Sequence, residues 1–102
     1  HNMKEYIYTQ YVINITNHLK IDNLDLFSFT KKNHIVEARR LLWLLCSEHG
    51  MTPTEIKRHT KNVSSRDFQR STIYRGIVNI KETIRRDSDY NNIISKLRQI
   101  DI

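Results

Sequence analysis

The sequence predicts an all-α domain of about six helices, packed as a compact orthogonal bundle containing a helix-turn-helix. Three observations carry that expectation. Two Gly and one Pro in 102 residues leave few breaks for turns, and 38% hydrophobic residues suit a modest core. Apolar residues recur at spacings of three and four along most of the chain. Sustained strand-type alternation occurs nowhere.

The elements follow in order. His1 and Asn2 before Met3 read as a cloning remnant or start, so residues 4–102 are taken as one helical domain. Residues 4–19 carry Tyr8, Val12, Ile15 and Leu19 on one helical face. Tyr6 and Tyr11 are expected to pack with them, base stacking being the alternative. "IDNLDLF" follows as a short helical turn, with Asp22 as its cap and Leu24 and Phe27 as anchors. Ser28–His34, "SFTKKNH", is polar and basic and predicts a mobile loop. "IVEARRLLWLLCSEHG" is the most apolar segment and the expected central helix. Ala38, Leu41, Leu42, Leu45 and Cys46 share a face that Trp43 and Leu44 widen, and Gly50 closes the helix.

"MTPTEIKRHT" then opens a new helix at once. Thr52 is an N-cap type, Pro53 suits the first helical position, and Glu55 can reach back to the cap. The helix over 53–60 has little to bury beyond Ile56, and its Lys, Arg and His point to a role outside the core. "KNVSSRD" breaks the pattern. A second periodic run carries Ile73, Ile77, Ile80 and Ile84. Asp87 or Asp89 caps a last helix with Tyr90, Ile93, Ile94, Leu97 and Ile100.

Charge narrows the function. The net charge is +6, and residues 31–86 hold thirteen Lys or Arg against five Asp or Glu. A concentration of that kind predicts a polyanionic partner. Lipid headgroups would call for one long basic amphipathic helix, whereas these cations are spread over several short segments; no apolar run approaches a membrane span. Cys46 stands alone, so an internal disulfide is excluded and a reducing cytoplasm is expected. Cys46 and His49 are too few for a metal site and have nothing to orient them for catalysis; neither metal nor cofactor nor enzymatic activity is expected.

The two adjacent helices after Gly50, with a polar turn between them, form the helix-turn-helix candidate. The first would cross the DNA backbone, and the second would offer its first turns to the major groove. Ser71, Thr72 and Arg75 fall outside the Ile stripe, and Arg70 precedes it. Arg can bridge guanine O6 and N7; Ser and Thr can touch thymine methyls or phosphates. Lys57, Arg58, Lys61 and Arg66 are candidates for phosphate contact, as is Arg75. His34 and His59 read chiefly as polar surface. Lys81, Arg85 and Arg86 fit a solvated face or a phosphate track equally. The alternative to DNA binding is an interaction module whose basic face meets an acidic protein.

Residues 6–100 resemble the C-terminal DNA-binding domain of the bacterial replication initiator family DnaA, of the Trp-repressor-like helix-turn-helix group. "YVINITNHLKIDNLDLF" resembles the family's opening helix and following turn, and "TKKNHIVEARRLLWLLC" its basic loop and long helix. "MTPTEI" resembles the start of the motif's first helix, and "STIYRGIVNI" the recognition helix. The resemblance implies that Lys31 and Lys32 enter a minor groove and that Arg70, Ser71 and Thr72 read bases in the major groove. It also implies a bacterial, nucleoid-associated protein, monomeric as an isolated domain, from a larger initiator or a mobile-element relative. The family's Gly-Gly turn and Arg-Asp-His are replaced by "KNVSSRDFQR", which places Phe68, Gln69 and Arg70 before the Ser71-Thr72 pair. Gln69 thereby joins the base-contacting candidates, and a target other than the family's standard box is expected.

Overall fold

A computed structural model describes residues 2–101; three of its helices start on side-chain caps, and three do not, among them the last, which neither Asp87 nor Asp89 caps with its side chain. α1 (Met3–Leu19) is capped by Asn2, whose side chain accepts from the backbone N–H groups of Lys4 and Glu5. Asn2, set aside with His1 and Met3, thus caps the first helix, and His1 lies outside the described residues. α2 (Asn23–Leu26) takes Asp22 as its cap, as expected, but Leu24, expected as an anchor beside Phe27, is exposed, and Leu26 is buried in its place. α3 (Asn33–Glu48) starts two residues earlier than the apolar run and closes in a full Schellman arrangement. There the Gly50 N–H donates to Ser47 O at 3.0 Å and the Met51 N–H to Cys46 O at 3.3 Å, with Gly50 at φ +82°.

α4 (Pro53–Ser64) opens with both halves of the capping box: Glu55 N–H to Thr52 Oγ1 at 3.2 Å, and Thr52 N–H to Glu55 Oε1 at 3.0 Å. It runs four residues beyond the expected 53–60, because Lys61–Ser64 contains no breaker. Ser65 ends it by taking a left-handed conformation, φ 63°, in a turn without Gly. α5 (Arg70–Arg86) and α6 (Tyr90–Leu97) complete an all-α chain of six helices, and among the described residues there is no strand. α6 stops three residues short of Ile100. Its last carbonyl region is held from α1, where Asn14 Nδ2 donates to Leu97 O at 3.1 Å and Gln99 O at 2.9 Å.

α3 is the hub. It packs most extensively against α5, then α1, and also touches α2 and α4. Ala38, Leu41, Leu42, Trp43, Leu45 and Cys46 are buried on it, and Ile73, Ile77 and Ile80 meet the same core from α5. The radius of gyration of 12.5 Å matches a compact domain of this length. α4 buries more than expected. Besides Ile56, its His59 and Thr60 are inside, and Thr60 shares a 2.6 Å hydrogen bond with Tyr8 OH across the α1–α4 seam. Tyr8 and Tyr11 are core residues, which removes them from any stacking surface.

Candidate nucleic-acid interface

The loop before α3 is fixed by a buried arginine. Arg39 Nε donates to Leu26 O at 2.9 Å and its Nη2 donates to Ser28 O, so one guanidinium binds the backbone on both sides of Phe27. Burial, and then the neighbouring Arg40, pull its pKa below the ordinary arginine value. Its face lies 5.1 Å from the Phe68 ring centroid, which gives the buried charge a partner other than a carboxylate.

Phe68 joins this loop to the α4–α5 turn. Its ring lies 5.4 Å from Trp43, edge-on, and 5.0 Å from Phe29, over which Arg66 stacks at 5.3 Å. Trp43, Phe68, Phe29 and Arg66 thus form a column running from the core to the surface. The loop at 28–32 is thus anchored at its first two residues, Ser28 through Arg39 and Phe29 through Phe68 and Arg66. Lys57 secures the turn from the α4 side: its ammonium pairs with Asp67 and donates to Phe68 O at 3.1 Å. That engagement leaves Lys57 as a brace of the turn, unlike Arg58 and Lys61, which are exposed on α4 and form no ion pair among the described residues.

Between the tied loop and α5 lies a groove of about 810 Å³. Lys31 and Asn33 line one wall, Gln69, Thr72, Arg75 and Asn79 the other, and Arg40, Trp43 and Phe68 the floor. Gly76 sets its depth. A Cβ there would meet Trp43 Cε3 and Cζ3 at 2.9 Å and Arg40 Cγ at 3.1 Å, so only glycine lets α5 approach α3 this closely. Thr72 and Arg75 were legible as lying off the Ile stripe; Arg40, Asn33 and Asn79 were missed, since nothing in their spacing tells a groove wall from open surface.

Arg70 and Ser71 lie elsewhere. With Gln69 and Tyr74 they line a shallow depression of about 540 Å³ shared with Pro53 and Thr54 at the start of α4, and Arg70 Nη1 reaches Thr54 Oγ1 at 3.5 Å. The base-contacting candidates are thus split across two sides of α5, with Gln69 lining both hollows. Lys32, Arg66 and Lys31 are exposed on the loop and turn. Arg75 is exposed and its Nε folds back onto Ser71 O at 3.3 Å. None of Lys31, Lys32, Arg40, Arg66, Arg70 and Arg75 has an ion-pair partner among the described residues.

The two weighed histidines differ. His34 is exposed. His59 is 1% exposed and packs 5.7 Å from the Tyr8 ring, so it has no access to a phosphate, and neither ring nitrogen is hydrogen-bonded among the described residues. The Cys46 thiol is buried and its pKa is raised by that burial, while His49 stacks on Tyr11 at 5.5 Å. No group of three or more His, Cys, Asp or Glu able to hold a metal exists among the described residues, and no described helix is long and apolar enough to cross a membrane.

No protein family, curated protein or solved structure matches the chain.

Proposed function

We propose that this domain binds duplex DNA with sequence preference, using α4 and α5 as a helix-turn-helix and the loop at 28–32 as a second contact. One observation carries this reading: the loop, anchored at Ser28 and Phe29, and α5 flank a groove whose Lys31, Arg40 and Arg75 have no carboxylate paired to them among the described residues, its lining carboxylate Asp67 being paired with Lys57. In duplex DNA a phosphodiester strand separates the major groove from the adjacent minor groove. A protein that lays a helix in one and a loop in the other needs a channel for that strand. Lys31, Arg40 and Arg75 line the groove with positive charge, and Asn33, Thr72 and Asn79 add neutral hydrogen-bonding groups.

In this arrangement Lys31 and Lys32 lie at the minor groove, where narrow A·T tracts concentrate negative potential. Arg40 and Arg75 grip the strand. Arg58 and Lys61 meet the backbone from α4, and Arg70, Ser71 and Gln69 reach base edges from the first turn of α5. The likeness to the initiator family's C-terminal domain belongs to the same proposal, as does a place in the bacterial nucleoid, inside a larger initiator or a mobile-element protein.

Selection of bound sites from a random duplex pool tests it. The unmutated domain should enrich a motif distinct from the initiator family's standard box. Arg70→Ala should relax one or two positions at a cost of roughly 1–3 kcal/mol. Arg75→Ala should weaken all sequences alike. Failure of the unmutated domain to enrich any motif contradicts sequence-specific readout, and a retained motif in Arg70→Ala moves base reading to other residues.

A further inference from the structure

Two large apolar side chains on α5 are left uncovered by the fold: Tyr74 is 61% exposed and Val78 47%. They are four residues apart, so they share a helical face. At about 100° per residue, Tyr74, Val78 and Ser71 lie roughly 100°, 140° and 160° around the helix from Ile73. This row therefore points away from the Ile73–Ile77–Ile80 stripe that holds α5 to the core. Cations flank it on both sides. Arg75 stands on the groove side, and Arg70 and Lys81 stand on the other, all without ion-pair partners among the described residues.

We infer that Tyr74 and Val78, continued by Ser71, form an apolar reading edge for the C5-methyl groups of pyrimidines, thymine in ordinary duplex. The inference rests on the duplex-DNA proposal above and deepens it by naming a target chemistry. The ligand that fits this row must be anionic along both edges and apolar at its centre. The major groove has that cross-section, with phosphate strands at its rims. On its floor the pyrimidine C5-methyl is the one apolar group among base edges that otherwise present only hydrogen-bond donors and acceptors. The tied loop and the cationic groove fix which edge of α5 meets the strand, which leaves the Ser71–Tyr74–Val78 row directed at the groove floor. The target should therefore be rich in thymine under the first two turns of α5.

Exchanging thymine for uracil removes only the methyl group and keeps base pairing and phosphate charge. Two random duplex pools of identical design, one with thymine and one with uracil, should be compared by competition. A third pool should carry 5-methylcytosine in place of cytosine. Each buried methyl should be worth about fourfold in affinity, so the unmutated domain should prefer the thymine pool by at least that factor. The double variant Tyr74→Ser/Val78→Ser should bind thymine and uracil pools equally. Both positions are exposed, so helical circular dichroism should be unchanged, and salt-dependent DNA binding should persist. Preference for either methylated pool that is lost in the double variant supports the inference. Equal binding to all three pools, with salt dependence intact, overturns it while the DNA proposal stands. Absence of binding to every pool overturns both. Concentration-dependent self-association in the analytical ultracentrifuge that the double variant abolishes would assign the pair to a second copy of this chain instead.

Discussion

The α1–α6 side and the cations of the loop and the first turns of α5 use charge in different ways, whereas the end of α5 pairs Arg85 and Arg86 with its own Glu82. On the first, Lys4, Arg98 and Glu37 are bound across the fold, while Glu5 and Lys96 form no ion pair among the described residues. Lys4 pairs with Glu55 at 2.8 Å, Arg98 with Glu48 at 2.8 Å, and Tyr90 OH donates to Glu37 Oε1 at 2.8 Å. The Lys4 contact, followed by the Thr52 backbone N–H, holds the Glu55 carboxyl down at about 2. On the second side, Lys31, Arg40 and Arg75 line one groove and Arg70 the neighbouring depression, with no carboxylate paired to any of them among the described residues. Paired charges fasten elements of this fold together. Unpaired cations held close to one another repel, and a partner anion relieves that repulsion.

The largest effect that separates the two uses of sequence belongs to the shared core. Leu42 is fully buried on α3, and Leu42→Ala should cost about 2–5 kcal/mol in denaturant unfolding, a large share of a small domain's stability. Arg75→Ala, by contrast, should leave the unfolding midpoint nearly unchanged and weaken DNA binding. An unchanged midpoint for Leu42→Ala would contradict the assignment of that face.

Gly76→Ala tests the boundary between core and interface. The added methyl must displace the Trp43 ring and Arg40 stem, so a loss of about 1–3 kcal/mol is expected from overpacking. Because the same contact sets the depth of the groove, binding should weaken by more than the fraction of unfolded protein explains. Fluorescence of Trp43, the chain's single tryptophan, reports the displacement directly.

A smaller effect should appear with pH on the α1–α4 seam. Burial, then the neighbouring Arg58, lower the His59 pKa in the folded chain. The unfolded chain therefore binds the extra proton first. Stability should decline as pH falls below about 6.5, the ordinary histidine value, and level off once pH passes the depressed folded value. His59→Leu should flatten that decline, since it removes the buried imidazole whose protonation differs between the folded and unfolded chain. An unchanged pH profile in the variant would contradict the burial of His59.

The smallest difference concerns two lysines one turn apart on α4. Lys57→Ala should lose a little stability with its contacts to Asp67 and Phe68 O. Lys61→Ala should leave stability alone and make the salt dependence of DNA binding shallower by about 0.9. Reversed roles for the two variants would break the distinction between bracing and binding cations.

What the sequence made legible was local. The Thr52–Glu55 capping box, Gly50 as a helix stop and the Ile73–Ile80 stripe depend on residues within a turn or two of one another. Arg39, His59 and Phe68 depend on distant ones. Arg39 needs carbonyls eleven and thirteen residues upstream and a ring in the α4–α5 turn. The sequence reading of α3 took Ala38, Leu41, Leu42, Leu45 and Cys46 as its face and passed over Arg39, since an arginine beside an apolar face has no meaning until its partners are known. His59 looked like part of a basic surface because its sequence neighbours are cations, while Tyr8 of α1 in fact covers it. Phe68 lay in a segment read for base contact, and burial against Trp43 and Phe29 turns it into the pin between loop and turn.

The central claim is that the uncompensated cations of the loop, α4 and α5 serve a duplex. The most direct measurement is the affinity for a duplex oligonucleotide as salt is raised from low to physiological concentration. With roughly four to seven phosphates neutralised, log K should fall against log salt with a slope of about −4 to −6. An acidic polypeptide should fail to compete at equal charge. A flat salt response, or preference for the acidic polypeptide over the duplex, would contradict the account and assign the basic face to a protein partner.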